Sequence, residues 1–187
     1  TTRIGDVGLL IGIILLWREA GTFNIQEIIH FAEEGGYSDA YLSVAMLFLF
    51  LGAMGKSAQL PLHVWLPPAH AAAPSHVSAL LSGVLIKIGI YGLARFLSWV
   101  PDPPAWWGGT LLALGTASAI LGVLAALGQH DLKRLLAYHS VENIGIILTG
   151  LGAALLGAAH GHAAWGRLAL AGALLHVWNH GAFKSLL

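Results

Sequence analysis

Residues 106–127 read WWGGTLLALGTASAILGVLAAL and contain no charged side chain. An α-helix rises about 1.5 Å per residue, so about 20 apolar residues in a row cross the hydrocarbon core of a bilayer. The stretch does not alternate between polar and apolar residues, as a half-buried strand would. It therefore predicts a membrane-spanning helix.

Five further apolar stretches repeat this pattern along the chain. Because a backbone in lipid must satisfy its own hydrogen bonds, each is predicted to be a helix. The 24 Gly residues favour close helix–helix contact in a membrane. The sequence thus predicts an all-α, polytopic transmembrane helix bundle of about six helices. The five stretches are residues 4–17, 41–57, 76–98, 132–156 and a last one that begins near residue 165.

The composition excludes several classes of protein. Of 187 residues, 57% are hydrophobic and only 10% are charged, whereas soluble domains carry about 25% charged residues. Nine Lys and Arg balance nine Asp and Glu, so no nucleic acid partner is indicated. The sequence has no Cys, which excludes disulfides and Cys-ligated iron–sulfur clusters from this chain. A multi-pass protein of the lipid bilayer is the class that remains.

Two linkers carry structural signals of their own. Asn24 precedes a short amphipathic segment and has Glu27 three residues later, which resembles a helix-capping arrangement. Residues 61–74 contain four prolines. Pro61 cannot donate its backbone N–H and clashes with the carbonyl of Ser57, so we expect the helix to break there.

Lysines stand where lipid should exclude them. Lys87 lies in the middle of an apolar helix, where an ammonium costs roughly 3 kcal/mol unless it faces a polar interior. His76, eleven residues earlier in the sequence, would share its face on a continuous α-helix. Snorkelling to the interface is the alternative for Lys87. Lys56 precedes the break at Pro61, where it either faces freed carbonyls or ends an ordinary helix at the interface.

The last helix carries His176, His180 and Lys184 at four-residue spacing, which places them on one face. Such a stripe inside apolar residues indicates a relay. Polar residues satisfied between packed helices are the alternative. A metal site is disfavoured because no HExxH motif accompanies the two histidines.

The preceding helix begins with Lys133, whose place in the first turn is that of an ordinary interfacial charge. Glu142 lies deeper, and His139 almost one turn earlier is its predicted partner. Structural pairing and proton handling both remain open for that pair.

Several of these residues belong to longer motifs. Residues 55–67 read GKSAQLPLHVWLP, and residues 131–145 read DLKRLLAYHSVENIG. Together with residues 69–76 and 82–89 they resemble antiporter-like, proton-translocating membrane subunits. That family includes the membrane-arm subunits of NADH–quinone oxidoreductase, Mrp cation/proton antiporter subunits, hydrogenase-4 component B and its formate hydrogenlyase counterpart. Residues 2–8 and the start of the 55–67 motif look most like subunit L of the NADH–quinone enzyme, and the other motifs most like the hydrogenase branch.

The resemblance implies a larger inverted-repeat, antiporter-like fold of about fourteen helices, with broken helices at mid-membrane. Residues 1–187 would be a fragment of one such transmembrane domain. The family's glutamate partner of the Lys56 position would lie before Thr1, and the second broken helix would lie beyond Leu187. The lysines that match family positions are Lys56, Lys87, Lys133 and Lys184.

The function implied is that of a proton-translocating subunit in a redox-driven complex, moving protons through buried Lys, His and Glu side chains. Its partners would be other membrane-arm subunits and a peripheral redox arm, either a hydrogenase or a dehydrogenase. No cofactor is expected in this chain, and the location would be a prokaryotic plasma membrane. The alternatives are an Mrp-type cation/proton antiporter subunit and, from another class, a haem-binding membrane cytochrome that uses helical His pairs.

Overall fold

The computed structural model describes residues 2–100 and 102–186, and these two ranges hold helices and turns with no strand. The predicted all-α bundle is therefore confirmed. The helices are α1 Thr2–Ala20, α2 Ile25–Glu33, α3 Asp39–Ser57, α4 Leu66–Ala72, α5 Ser75–Leu80, α6 Ile86–Leu97, α7 Ala105–Leu127, α8 Leu132–Ala159 and α9 Ala163–Leu186, with a 3₁₀ turn Leu62–Trp65 before α4 and a π-helical turn Leu81–Leu85 before α6.

Four of the helical segments are long and apolar enough to cross a membrane. They are Asp39–Ala72, Ser75–Leu97, Ala105–Leu127 and Leu132–Ala159. Helices α1 and α9 have similar lengths but are more polar, because α1 carries charged residues near both ends and α9 carries the His and Lys stripe. All six predicted apolar stretches correspond to helical segments.

The predicted helix break is present. Helix α3 ends at Ser57, and Ala58 adopts a left-handed backbone conformation with φ 52°. The chain returns to helix after Pro61. The break leaves the carbonyl of Gly55 free to accept a hydrogen bond of 3.0 Å from the indole N–H of Trp65. Here the sequence rule for proline fixed the position of the interruption correctly.

A second interruption, the π-helical turn Leu81–Leu85, was not predicted. A π turn closes i→i+5 hydrogen bonds and so holds an extra residue. It changes the angular relation between His76 and Lys87, which was derived for a continuous α-helix. His76 is exposed on the first turn of α5, whereas Lys87 is buried. The prediction that these two side chains share a face is therefore wrong.

Helices α7 and α8 form the closest pair in the bundle. A Cβ added at Gly115 would lie 2.8 Å from the carbonyl oxygen of Gly145, so the two backbones touch. Helix α8 also packs against α9 and α4, and α3 packs against α1 and α6. This arrangement places the polar residues of α6, α8 and α9 inside a common apolar core that includes Ile86, Ile144 and Leu148.

The short helix after the first linker begins as predicted. The Asn24 side chain caps α2 by accepting a hydrogen bond of 3.0 Å from the backbone N–H of Gln26. Its amide also donates to Glu27 at 3.3 Å. The cap fixes where α2 starts, and Ile28 anchors the helix to the bundle.

Candidate functional site

Lys87 is held inside the bundle. It is 9% exposed and occupies the first turn of α6. Its ammonium donates a hydrogen bond to the carbonyl of Ser82, which lies in the π-helical turn. The side chain is thus folded back into the protein and does not snorkel to the surface. π-helical turns inside α-helices are frequent at functional sites.

A continuous set of polar contacts joins Lys87 to Lys184 across three helical segments. The hydroxyl groups of Ser82 and Ser140 lie 2.7 Å apart. The Ser140 hydroxyl donates to the carbonyl of Leu136 at 3.1 Å, and the Lys184 ammonium donates to the same carbonyl at 2.9 Å. We call these five residues the lysine bridge. Both ammonium groups in it are held by carbonyls rather than by carboxylates.

A polar cavity lies beside the lysine bridge. Its water-accessible volume is about 60 Å³, and a single water needs roughly 10–15 Å³ on this measure. Water inside it would lie beside the polar side chains of its wall, including that of Lys184. The cavity is lined by His70, Ser75, Ser78, Ala79, Ser82, Lys133, Leu136 and Lys184.

Lys133 and His70 lie on the wall of this cavity. Lys133 is half-buried at the start of α8 and donates to the carbonyl of Ala73 at 2.7 Å, which ties α8 to the turn between α4 and α5. His70 is buried, and its Nε2 has no hydrogen-bond partner among the described residues. Sequence reasoning did not select His70, because only the fold reveals that it is buried beside a cavity.

The stripe on α9 faces the bundle interior, as its apolar flanks predicted. His176 Nε2 lies 2.9 Å from Asn143 Oδ1 on α8. His180 is completely buried, and within residues 2–100 and 102–186 neither ring nitrogen has a partner. Its ring centroid lies 6.4 Å from that of His176. The packing alternative therefore describes His176, which has a fixed partner, but not His180.

Glu142 has the partner that was predicted for it. Its Oε2 lies 2.6 Å from Nδ1 of His139, and both side chains are partly exposed. The Asn143 side chain joins this pair to the α9 stripe, since its amide donates to the His139 carbonyl at 2.7 Å and its oxygen contacts His176. The pair therefore lies beside His176, at the opposite end of the α9 stripe from Lys184.

Lys56 stands apart from the lysine bridge. Its Nζ lies 2.6 Å from Oδ1 of Asp6 on α1, with side-chain exposures of 45% and 43%. Asp6 is a carboxylate partner of Lys56 within this chain, in addition to the family's glutamate that the resemblance places before Thr1. Asp6 was missed although the rule that selected Lys87, a charge inside an apolar helix, applies to it equally.

The structure thus brings Lys133 and Lys184 to the wall of one cavity, with His180 on the same helix face as Lys184. Lys87 is joined to that wall through its hydrogen bond to Ser82. The structure leaves Lys56 at the helix break and His76 on the surface. In the described part of the chain, no group of three or more His, Asp or Glu side chains is arranged to hold a metal ion.

The chain is similar to a known family of membrane proteins over its whole length. The sequence matches the family described as NADH:quinone oxidoreductase/Mrp antiporter, TM, over residues 1–187. The Escherichia coli (strain K12) protein Hydrogenase-4 component B is 42% identical over 186 residues, covering 98% of this chain and 27% of that protein. The Pseudomonas aeruginosa NADH-quinone oxidoreductase subunit L is 36% identical over 191 residues, covering 100% of this chain and 28% of that protein.

Among solved structures, the Mrp complex from Dietzia sp. DQ12-45-1b contains a chain with the same fold. The TM-score is 0.83 at 28% identity, and the match covers 98% of this chain and 32% of that one. This chain therefore spans less than a third of the length of each of these relatives.

Proposed function

We propose, because this chain belongs to the NADH:quinone oxidoreductase/Mrp antiporter family of membrane proteins, that it is part of a proton-translocating membrane subunit of a redox-driven complex. The resemblance seen in residues 55–67 and 131–145 is confirmed by that membership. The relatives named above are subunits of multi-subunit membrane complexes. The role of these residues in proton movement is inferred from their placement.

The observation that carries the proposal is the lysine bridge. Two buried lysines on separate helices are joined through two hydroxyl groups and two carbonyls, beside a cavity with room for water. In a low-dielectric interior, the charge on one such group changes the proton affinity of its neighbour. A proton leaving one lysine therefore favours protonation of the other, with water in the cavity as the carrier.

The remaining site residues extend this path. His180 and His176 continue it along α9, and the His139–Glu142 pair forms its end on α8. The Lys56–Asp6 pair would form a separate station at the helix break. Lys133 would exchange protons at the cavity wall, and His76 would do so at the exposed start of α5.

The energy for translocation would come from other subunits. We assign the electron transfer to a peripheral redox arm, a hydrogenase or a dehydrogenase, and assign no cofactor to this chain. Other membrane-arm subunits would complete the path, and the complex would reside in a prokaryotic plasma membrane.

The test is proton pumping by the full-length complex in sealed vesicles, measured per electron transferred. Lys184→Met should lower pumping at least about tenfold, because it removes a proton-carrying group from the bridge. His180→Ala should lower it as well, with assembly and redox activity largely retained. His162→Ala, at an exposed loop histidine, is the control and should pump normally. Normal pumping by assembled Lys184→Met complex would refute the proposal.

An Mrp-type cation/proton antiporter subunit is the second candidate, favoured by the likeness to the Mrp complex. It differs in its energy source, since no redox enzyme would be attached. A sodium gradient imposed on vesicles would then drive proton movement without any electron donor. Movement that requires an electron donor would favour the redox-driven complex.

A further inference from the structure

The wall of the polar cavity beside the lysine bridge carries positive charge only. Lys133 and Lys184 both line it, together with serine hydroxyl groups. His70 also lines it, and an imidazole is either neutral or positive. None of the described residues in this wall is an Asp or a Glu. With both lysines protonated, two positive charges therefore share one cavity that has no negative charge in its wall.

Both ammonium groups have donors to spare. An ammonium has three N–H donors. Lys133 donates to the carbonyl of Ala73 at 2.7 Å, and Lys184 donates to the carbonyl of Leu136 at 2.9 Å. Within residues 2–100 and 102–186 these contacts use one donor of each lysine, so two donors of each remain for a ligand in the cavity.

The carboxylates on α8 and at its N-cap are engaged elsewhere. Asp131 caps α8 by accepting a hydrogen bond of 2.9 Å from the backbone N–H of Arg134. Glu142 contacts His139 at 2.6 Å. Neither acidic residue lines the cavity. Two like charges repel each other, and a buried charge is costly without a partner of opposite sign, so an anion between the two lysines would stabilise both.

The size of the cavity suits a small monovalent anion. Its water-accessible volume is about 60 Å³, and one water needs roughly 10–15 Å³ on this measure. A chloride ion is only slightly larger than a water molecule, so the cavity can hold one chloride with a few waters. An anion with two charges loses its hydration shell at greater cost, which disfavours phosphate.

The cavity reaches from the surface of the bundle to its interior. Ser75, at the start of α5, is exposed and lines the cavity, whereas Lys184 on the same wall is 4% exposed. An ion can therefore enter beside Ser75 and meet the buried ammonium.

We propose that this cavity is an anion site, which binds one chloride ion between the ammonium groups of Lys133 and Lys184. The two ammonium groups supply the charge, and the hydroxyl groups of Ser75 and Ser78 supply further hydrogen-bond donors. The cavity is the one that the proposed function fills with water, so any effect of chloride on pumping rests on that function. Binding of the ion rests only on the charges and the space.

The test measures the thermal unfolding midpoint of the purified full-length complex while sodium chloride replaces sodium gluconate at constant ionic strength. Gluconate is too large for the cavity. A ligand that binds only the folded state raises the midpoint, so we expect chloride to raise it by about 1–2 °C, with a plateau as the site fills. Crystals of the complex grown with bromide, which scatters anomalously, should show one bromide between Lys133 and Lys184.

Three variants separate a specific site from a general effect of salt. Lys133→Met removes one of the two ammonium groups, and the chloride-dependent rise should be lost. Lys133→Arg keeps the charge and the donors and should retain most of the rise. Ala79→Val adds two methyl groups to the wall of the cavity without changing any charge, and it should also abolish the rise.

Each kind of change has a matched control. Arg134→Met removes the same charge from the next residue of α8, which is exposed and does not line the cavity. Ala72→Val adds the same two methyl groups at an exposed position outside the cavity. Both controls should show the same chloride-dependent rise as the unaltered complex.

Three results would overturn the proposal. They are no chloride-dependent rise in the unaltered complex, equal rises in the unaltered, Lys133→Met and Ala79→Val complexes, and no bromide in the cavity. If Lys133→Met does not assemble, Ala79→Val and the position of bromide still decide the question. Neither measurement depends on proton pumping, so failure of the anion site and failure of the proposed translocation function are distinguishable.

Discussion

Two interruptions of helical geometry hold two lysines in opposite ways. At the proline break after α3, Lys56 is half-exposed and its ammonium lies 2.6 Å from the Asp6 carboxylate. At the π-helical turn before α6, Lys87 is buried and its ammonium is held by the Ser82 carbonyl. A carboxylate carries a full negative charge, whereas a carbonyl offers only a partial one. The first lysine therefore has a full counter-charge beside it, and the second has none within hydrogen-bond distance.

Because one lysine has a carboxylate partner and the other a carbonyl partner, the two are suited to different tasks. A lysine that releases and regains a proton during each cycle should lack a permanent counter-charge. A lysine in an ion pair is suited to changing the local charge by forming and breaking that pair. We therefore propose that Lys87 carries the proton and that the Lys56–Asp6 pair modulates its movement.

The largest effect is expected from Lys87→Met, which removes the proton-carrying group. Pumping per electron should fall at least about tenfold in the full-length complex. Lys87→Arg keeps the charge and the donors but hardly deprotonates, so it should retain more pumping than Lys87→Met without reaching the native rate. Proton flux and electron transfer are measured together in sealed vesicles.

Full and equal activity of both variants would return Lys87 to a structural role and remove the contrast with Lys56. Arg134→Met serves as a control for the loss of a charge, because Arg134 is exposed at the start of α8. Its pumping should match that of the unaltered complex.

A smaller effect is expected at the ion pair. Lys56→Ala should leave assembly intact and strongly lower pumping, and Asp6→Asn should do the same through loss of the 2.6 Å contact. Because the two residues act as one unit, the double variant should pump about as well as the more impaired single variant. Additive losses would show that Lys56 and Asp6 act separately.

The two interruptions also differ in how far the sequence predicted them. Pro61 has a local and strong effect on the backbone, so the break after Ser57 was correctly located. The π turn at Leu81–Leu85 contains no proline and has no comparable local signal. In the fold it packs against α9, and its Ser82 meets Ser140 on α8, which are contacts between distant parts of the chain that the sequence does not reveal.

The residues of the candidate site likewise differ in whether the sequence predicted them. Lys87, His180 and Lys184 were found because polar groups in apolar helices are costly and therefore conspicuous. Ser82 and Ser140 were not found, because single serines are common in membrane helices and only the fold brings their hydroxyls to 2.7 Å. Asp6 could have been predicted by the rule that selected Lys87, because it is also a charged residue in an apolar helix.

A third prediction concerns the contact that couples the two interruptions. A Cβ at Gly89 would lie 2.6 Å from the carbonyl oxygen of Ala53 and 2.9 Å from the backbone N of Ser57. Gly89→Ala should therefore push α6 away from the end of α3 and lower stability by about 1–3 kcal/mol. Gly92→Ala is the matched control, because its Cβ would meet only Phe96, at 3.8 Å or more. The thermal unfolding midpoint of the purified complex measures both, and equal midpoints would contradict the close contact.

The smallest effect is expected from Ser140→Ala. This variant tests whether the lysine bridge couples proton exchange at Lys87 to proton exchange at Lys184. The substitution removes one completely buried hydroxyl and leaves both lysines and both carbonyls in place. The Ser82 hydroxyl loses its partner, so stability should fall by about 1 kcal/mol and pumping should fall only about twofold.

In the variant Ser82→Ala with Ser140→Ala no hydroxyl is left unpaired, and its stability loss should be smaller than the sum of the two single losses. If the hydroxyls carry the coupling, its pumping should nevertheless be no better than that of Ser140→Ala. If pumping recovers together with stability, the serines only pack the helices, and the cavity water alone connects the two lysines.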